Sequence, residues 1–280
     1  MVRIFCMIGV TFSACFGQAF AQESSTQDTY AYSRSASLGV VSEYTSRGLR
    51  LNWGDPAIQA GAEIQHSSGW YLGTWASPIT DKFYANGSYE IDLYAGQRGK
   101  IREAINYDAG LGAYFYPGAN YNRAVPAGPD QRYDTTEAII GLSYEWFALK
   151  YYYCLTDYYG YNDHSVPVSA WNSGISGGIT QGQNTRGSAY LEVNANFGLT
   201  DVYSLGLHAG HQTVSHSVNL NYSDFKLSLT ADPQRGWTTS LAASTTRGAG
   251  IFRNFLAVDG SGYTMDPAGT HWLFSVNKSY

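Results

Sequence analysis

From Ala36 to the end of the chain, stretches of about ten residues alternate apolar with small or polar side chains, and each gives way to a turn. In 57–66, Ile58, Ala60, Ala62 and Ile64 oppose Gln59, Gly61, Glu63 and Gln65. Segment 89–98 sets Tyr89, Ile91, Leu93 and Ala95 against Glu90, Asp92, Gly96 and Arg98. The same period runs through 36–44, 105–116, 137–146, 147–155, 189–197, 203–210, 224–229, 237–244 and 272–280. In 36–44 the apolar phase is read as Ala36, Leu38, Val40 and Tyr44. Segment 70–77 alternates as well, but Trp70 and Leu72 against Tyr71 and Trp75 leave its phase open. Period two over such lengths predicts strands with two chemically different faces, twelve in all.

The faces decide the architecture. The carboxylates and glycines fall on one face and an unbroken apolar series on the other, which suits a polar lumen and a lipid-facing exterior. A soluble sandwich would carry shorter strands and charged outer faces. All eight prolines (56, 78, 117, 126, 129, 167, 233, 267) lie between or at the ends of the segments, as required where every strand N–H must be bonded within the sheet. Connections alternate in length. Short turns at 66–69, 99–103, 145–147, 198–201 and 232–236 interleave with longer loops at 45–56, 78–87, 117–134, 157–187, 214–221 and 247–270. The expectation is an all-β fold: a closed antiparallel transmembrane β-barrel of about twelve strands, with short periplasmic turns and long external loops. Trp70, Trp146 and Trp237 stand beside short turns, where an aromatic girdle is expected.

Composition agrees. Charged residues make up only 14% of the 280, aromatics reach 15%, and there are 24 Tyr and 31 Gly. A net charge of −5 without a basic cluster excludes a nucleic-acid partner. Met1 to Ala21 reads as a cleavable signal peptide: Arg3 precedes the apolar stretch Ile4–Phe16, and Ala19-Phe20-Ala21 forms the cleavage site. Phe12-Ser13-Ala14-Cys15 approximates a lipoprotein site only weakly. Cleavage removes Cys6 and Cys15 and leaves Cys154 without an internal disulfide partner. The expected organisation is a signal peptide (1–21), a short periplasmic segment (22–34) and the barrel (35–280). No later apolar run is long enough for a membrane helix.

Particular blocks carry a resemblance. SEYTSRGLRLNWGDPAIQAGAEIQHSSGWYLGTWAS (42–77) resembles the opening block of the TorF family, a largely uncharacterised proteobacterial family described as porins. YEIDLYAG (89–96), YFYPGA (114–119), TEAIIGLSYEWFALKYYY (136–153), YLEVNANF (190–197) and LHAGHQ (207–212) are similar to that family's later blocks, in order. The resemblance spans nearly the whole chain after the signal peptide. It implies an outer-membrane barrel with channel function, and supplies neither catalytic residues nor a substrate. Segments 157–187 and 247–270 are the least family-like.

The polar phase names the candidate pore lining: Glu43, Glu63, Glu90, Asp92, Asp108, Glu137, Lys150, Glu192, Asp224 and Lys226, with Arg98 and Glu145 in the same phase. The acidic excess predicts a weak preference for cations if these charges act on passing ions rather than on one another. The expected partners are the outer-membrane lipid bilayer, the assembly machinery through a terminal strand ending in Tyr280, and small solutes or ions. No cofactor and no enzymatic activity are expected. One alternative is a non-conducting barrel acting as a surface-interaction protein through its Tyr-rich loops. The other is a lipid-modifying enzyme, for which His208 with Ser204 and Glu192, or His211 and His216 near Ser215 and Ser217, are the candidates. Glu90 and Asp92, two apart on one face, fall short of a metal-ligand set. Loop 157–187 is long enough to form a partial plug.

Overall fold

The structure, a computed structural model, describes residues 31–168 and 177–280. The predicted signal peptide lies outside the described residues. Twelve strands form one closed antiparallel barrel: β1 (Tyr32–Val41), β2 (Ala57–His66), β3 (Trp70–Pro78), β4 (Tyr89–Arg102), β5 (Ile105–Phe115), β6 (Thr135–Tyr144), β7 (Phe147–Cys154), β8 (Ala189–Gly198), β9 (Tyr203–Thr213), β10 (Tyr222–Ala231), β11 (Trp237–Arg247) and β12 (His271–Ser279). β1 begins at Tyr32, inside the segment expected to precede the barrel.

Each strand pairs with its sequence neighbour, and β1 also pairs with β12, so no edge is left open. At the seam Val40 stands opposite Ile58 on one side and Val276 on the other. The chain end takes part, because the Ala36 and Tyr280 backbones exchange hydrogen bonds of 3.2 and 2.9 Å.

Register aligns the outward side chains into apolar rows. Leu205, Leu229, Leu241 and Phe274 stand side by side across four strands, and Leu207, Leu227, Ala243 and Trp272 form the next row. These large side chains, Leu205 and Ala243 apart, are substantially exposed in the isolated chain. Such a belt is stable only against hydrocarbon. Trp70, Trp146 and Trp237 are exposed at the short-turn end, where the girdle was expected.

Three local readings change. In 70–77, Trp70 and Leu72 face out while Tyr71 and Trp75 are buried inward. Tyr44 is not on the outer face. β1 ends at Val41, and Tyr44 folds into the loop core, 2% exposed. Glu145 leaves the lumen set because it occupies the β6–β7 turn with φ 47°, where a tight reversal turns its side chain to solvent.

At the other end the long loops pack into one aromatic core continuous with the barrel's upper interior. Tyr84 stacks on Tyr116 with centroids 4.4 Å apart, and Tyr121 on Tyr133 at 4.1 Å. Phe83 stacks on Phe255 at 5.1 Å, and Tyr158 packs edge-on to Tyr161 at 5.7 Å. Loops 79–88 and 116–134, the described parts of 155–188 and loop 248–270 thus share one buried cluster. Tyr158 and Tyr161 come from the loop predicted as a partial plug.

Candidate pore lumen

The lumen face is set by strand phase, but its most consequential group comes from a loop. Thr45–Ser46 and Leu49–Arg50 pair as a miniature hairpin with Arg47 and Gly48 at its tip, at φ 45° and 75°. A two-residue reversal with both central residues at positive φ matches the twist of paired strands. Glycine is needed at the second position. A Cβ on Gly48 would stand 2.4 Å from Asp224 Cβ and 2.4 Å from Thr246 Oγ1. The Thr246 hydroxyl donates to the Gly48 carbonyl at 2.8 Å. The first loop therefore folds inward, with its tip against the lumen wall.

This carries Arg47 to the barrel interior. Its guanidinium grips Glu137 through two parallel bonds of 2.9 and 2.5 Å and donates to Gln212 Oε1 at 3.1 Å. It also lies over the rings of Tyr152 and Tyr190, 4.9 and 4.7 Å from their centroids. Burial pulls the Arg47 pKa down, but the Glu137 carboxylate outweighs that and raises it well above the ordinary value. The cation is therefore permanent. Above it, burial pushes the Tyr84 phenol well above the usual range, with Tyr159 and Glu90 adding to the shift. Tyr84, in the aromatic loop core that caps this end of the barrel, is thus neutral at any ordinary pH.

One wall of the lumen continues this network. The Tyr152 hydroxyl donates to Glu192 at 3.2 Å, and the Cys154 thiol to Glu137 at 3.4 Å. The Tyr190 hydroxyl donates to Asp224 Oδ2 at 3.0 Å. His208 Nε2 lies 2.9 Å from Asp224 Oδ1, and its Nδ1 lies 2.8 Å from Asn194 Oδ1. On the β2–β5 side Arg98 forms two 2.9 Å bonds to Glu63 and stacks 3.9 Å over the Tyr71 ring. The Tyr71 hydroxyl in turn donates to Asp108 at 2.6 Å.

The remaining predicted residues also face inward. Glu43 is buried and paired with Arg50. Glu90 and Asp92, 1% and 0% exposed, sit beneath the aromatic cap, Glu90 against the Tyr44 and Tyr116 phenols. Lys150 stands opposite Glu192 across the β7–β8 pairing. Lys226 faces Glu192 and Asp224. The carboxylates that phase brought to one face are mostly engaged by partners that phase could not reveal. Arg47 and Arg50 were missed because both lie in a segment read as loop, and their only signal was the Arg-Gly step between two short polar-apolar pairs.

The enzyme candidates separate. Four residues of strand place Ser204 about 13 Å along β9 from His208, whose hydrogen-bond partners are Tyr190, Asn194 and Asp224. His211 faces out, with Nδ1 2.8 Å from Ser223 Oγ. His216 lies at a loop tip, with Nδ1 2.8 Å from the Asn184 carbonyl. Among the described residues, no group of three or more His, Cys, Asp or Glu could hold a metal ion.

Below the inward hairpin the lumen opens. A cavity with about 640 Å³ of empty space, open to solvent, lies between the first loop and the β10–β12 wall. A smaller space of about 300 Å³ beneath the cap is lined by Arg47, Tyr84, Tyr159 and Phe252 among others.

A closed twelve-stranded barrel with an apolar exterior and a polar, charge-paired lumen is thus the class defined by fold and site. The chain belongs to the family described as "Bacterial protein of unknown function (Gcw_chp)", whose model matches residues 25–280. No curated protein matches the sequence. Among solved structures it is similar to the KdgM porin, at 7% identity and a TM-score of 0.49 over 88% of this chain and 99% of that one. The NanC porin gives 8% and 0.48 over 89% and 99%. An outer membrane channel (COG4313) from Pseudomonas putida F1 gives 10% and 0.43 over 91% and 99%.

Proposed function

We infer that this protein is an outer-membrane channel for the passive passage of small polar solutes and ions, gated or narrowed by its own first loop. The observation that carries this reading is the contrast between two surfaces of one closed wall. The outward rows are apolar, whereas the inward face holds hydroxyls, amides and paired charges around a solvent-open cavity. A barrel of twelve strands is wider than the roughly eight-stranded kind that side chains alone fill. Here the residual width is taken up by the Arg47 hairpin and the aromatic cap.

In this reading residues 1–21 direct export, the short turns face the periplasm and the capped loops face outward. The final strand, ending at Tyr280, serves recognition by the assembly machinery. The channel role is the one that the TorF resemblance leads one to expect. The ionic preference is for cations and weak, because Arg47, Arg50, Arg98, Lys150 and Lys226 offset much of the acidic lumen without cancelling it. The His208 surroundings favour a structural role, as Asp224, Tyr190 and Asn194 occupy its ring nitrogens and, among the described residues, no serine hydroxyl bonds to it.

Single-channel recording of refolded protein in a planar bilayer tests this. Stepwise conductance is expected, with a reversal potential modestly on the cation side under a salt gradient. A folded, inserted barrel giving no conductance, either as wild type or with Arg47→Ala, would sink the channel.

A further inference from the structure

The lumen is chemically two-sided, and the side that the ion pairs do not use has a composition of its own. The cavity below the first loop is walled by β10, β11 and β12, and six of their nine inward positions there are hydroxyls or amides, the others being Lys226, Ala242 and Leu273. Register turns them into a grid. Thr230, Ser240 and Ser275 stand in one row across three strands, and Thr238 and Asn277 in the next. Neighbours in such a grid are about 5 Å apart across strands and about 7 Å along them. Hydroxyls both donate and accept, so the wall offers hydrogen bonds of either sense.

Part of that capacity is unspent. The Thr230 hydroxyl donates to Ser240 at 3.1 Å. The buried Asn277 Oδ1, lying over Gly39, accepts no hydrogen bond. A buried acceptor without a partner costs free energy, and turning the Asn277 amide toward a solute hydroxyl in the cavity would recover it.

Charge narrows the solute class. Two charged side chains line this cavity, Glu43 and Lys226. Arg50 neutralises Glu43, and Glu192 and Asp224 face Lys226. A charged ligand would give up hydration and find no free counter-charge unless it broke one of these arrangements, which is costly in a confined site. An uncharged solute meets no such penalty. The space opens to solvent directly against this wall, so a small solute can reach it without displacing the hairpin.

We propose that the cavity against the β10–β12 wall is a binding subsite for a small uncharged polyhydroxylated solute. The channel reading enters only in saying where the bound solute goes next. Thr238, Ser240 and Asn277 supply the hydrogen bonds, and the inward hairpin holds the solute from the capped side.

Titration calorimetry of the refolded, full barrel in detergent micelles tests the assignment with three six-carbon probes: glucitol, gluconate and glucosamine. Glucitol is expected to bind at least tenfold more tightly than either charged analogue. The pair Thr238→Val and Ser240→Ala removes two hydroxyls with little change of shape and should weaken glucitol about tenfold. Heat-modifiable migration on a denaturing gel checks that the variant still folds. No heat with glucitol, or equal or tighter binding of a charged probe, overturns the subsite. Swelling of proteoliposomes in glucitol separates the two ideas. Binding without swelling removes the channel and keeps the site, whereas swelling without binding does the reverse.

Discussion

Arg47 and Glu137 stand 90 residues apart in the chain and meet inside the barrel, with Nη2 2.5 Å from Oε2 and Nη1 2.9 Å from Oε1. The pair pins a loop from one side of the lumen to a strand on the other, where both groups are shielded from water. A shielded pair of this kind is costly to halve. Arg47→Ala leaves the Glu137 carboxylate buried without its cation, beside Asp92, and should cost about 3–5 kcal/mol. The double variant Arg47→Met with Glu137→Leu should recover most of that loss. Urea unfolding followed by tryptophan fluorescence in lipid vesicles checks both. Equal destabilisation in the single and double variants would show that the pair fixes something other than its own charges.

The same hairpin makes a separate prediction through its backbone. Gly48→Ala places a β-carbon at φ 75° and 2.4 Å from Asp224 Cβ. The left-handed conformation alone costs roughly 1–2 kcal/mol for a residue with a Cβ. The cheapest relief is withdrawal of the tip from the wall, which breaks the Thr246 bond to the Gly48 carbonyl. Single-channel conductance of this variant should exceed that of the wild type while the barrel remains folded. Unchanged conductance would mean that the tip does not obstruct the path.

The outer face is tested by depth. Leu227 sits mid-strand in an apolar row with Leu207 and Ala243. Leu227→Arg should destabilise the inserted barrel by about 2–4 kcal/mol, the cost of a cation near the bilayer midplane. Leu227→Met should be close to neutral. Refolding midpoints into thin phosphatidylcholine vesicles give the comparison, and a harmless Leu227→Arg would contradict lipid contact at this row.

These tests also mark where the sequence stopped being informative. Period two assigns each residue to a face, so Glu63, Glu90, Asp92 and Glu137 could be placed inward from the alternation alone. Period says nothing about which strand lies opposite at what offset, and register makes the partners. Arg98 meets Glu63, and Asp224 meets His208, only once β2, β4, β9 and β10 are aligned. The phase of 70–77 was undecidable because both faces carry aromatics, and packing of Tyr71 and Trp75 against the lumen contents settled it. Arg47 was hidden for another reason. A loop that folds into its own barrel leaves no periodic trace, and the Arg-Gly step that turns it is common to many surface reversals.

The Arg98–Glu63 pair bears on what ions experience on the β2–β5 side of the lumen. Arg98 is held flat by two bonds to Glu63 and by the Tyr71 ring, with Asp108 fixed through the Tyr71 hydroxyl. Glu63→Gln keeps the shape and one acceptor but removes a negative charge. The remaining guanidinium then faces the path with less compensation. Its field reaches about 10 Å at 0.1 M salt, enough to span much of a narrow bore. The reversal potential of Glu63→Gln should therefore shift toward anions, and that of Arg98→Gln toward cations, each measured under the same salt gradient. Opposite shifts of similar size would show that the pair sits on the conduction path and that the selectivity of the lumen is set by near-balanced charges. If neither variant moves the reversal potential while conductance persists, ions pass elsewhere, and the β10–β12 side of the lumen is the route.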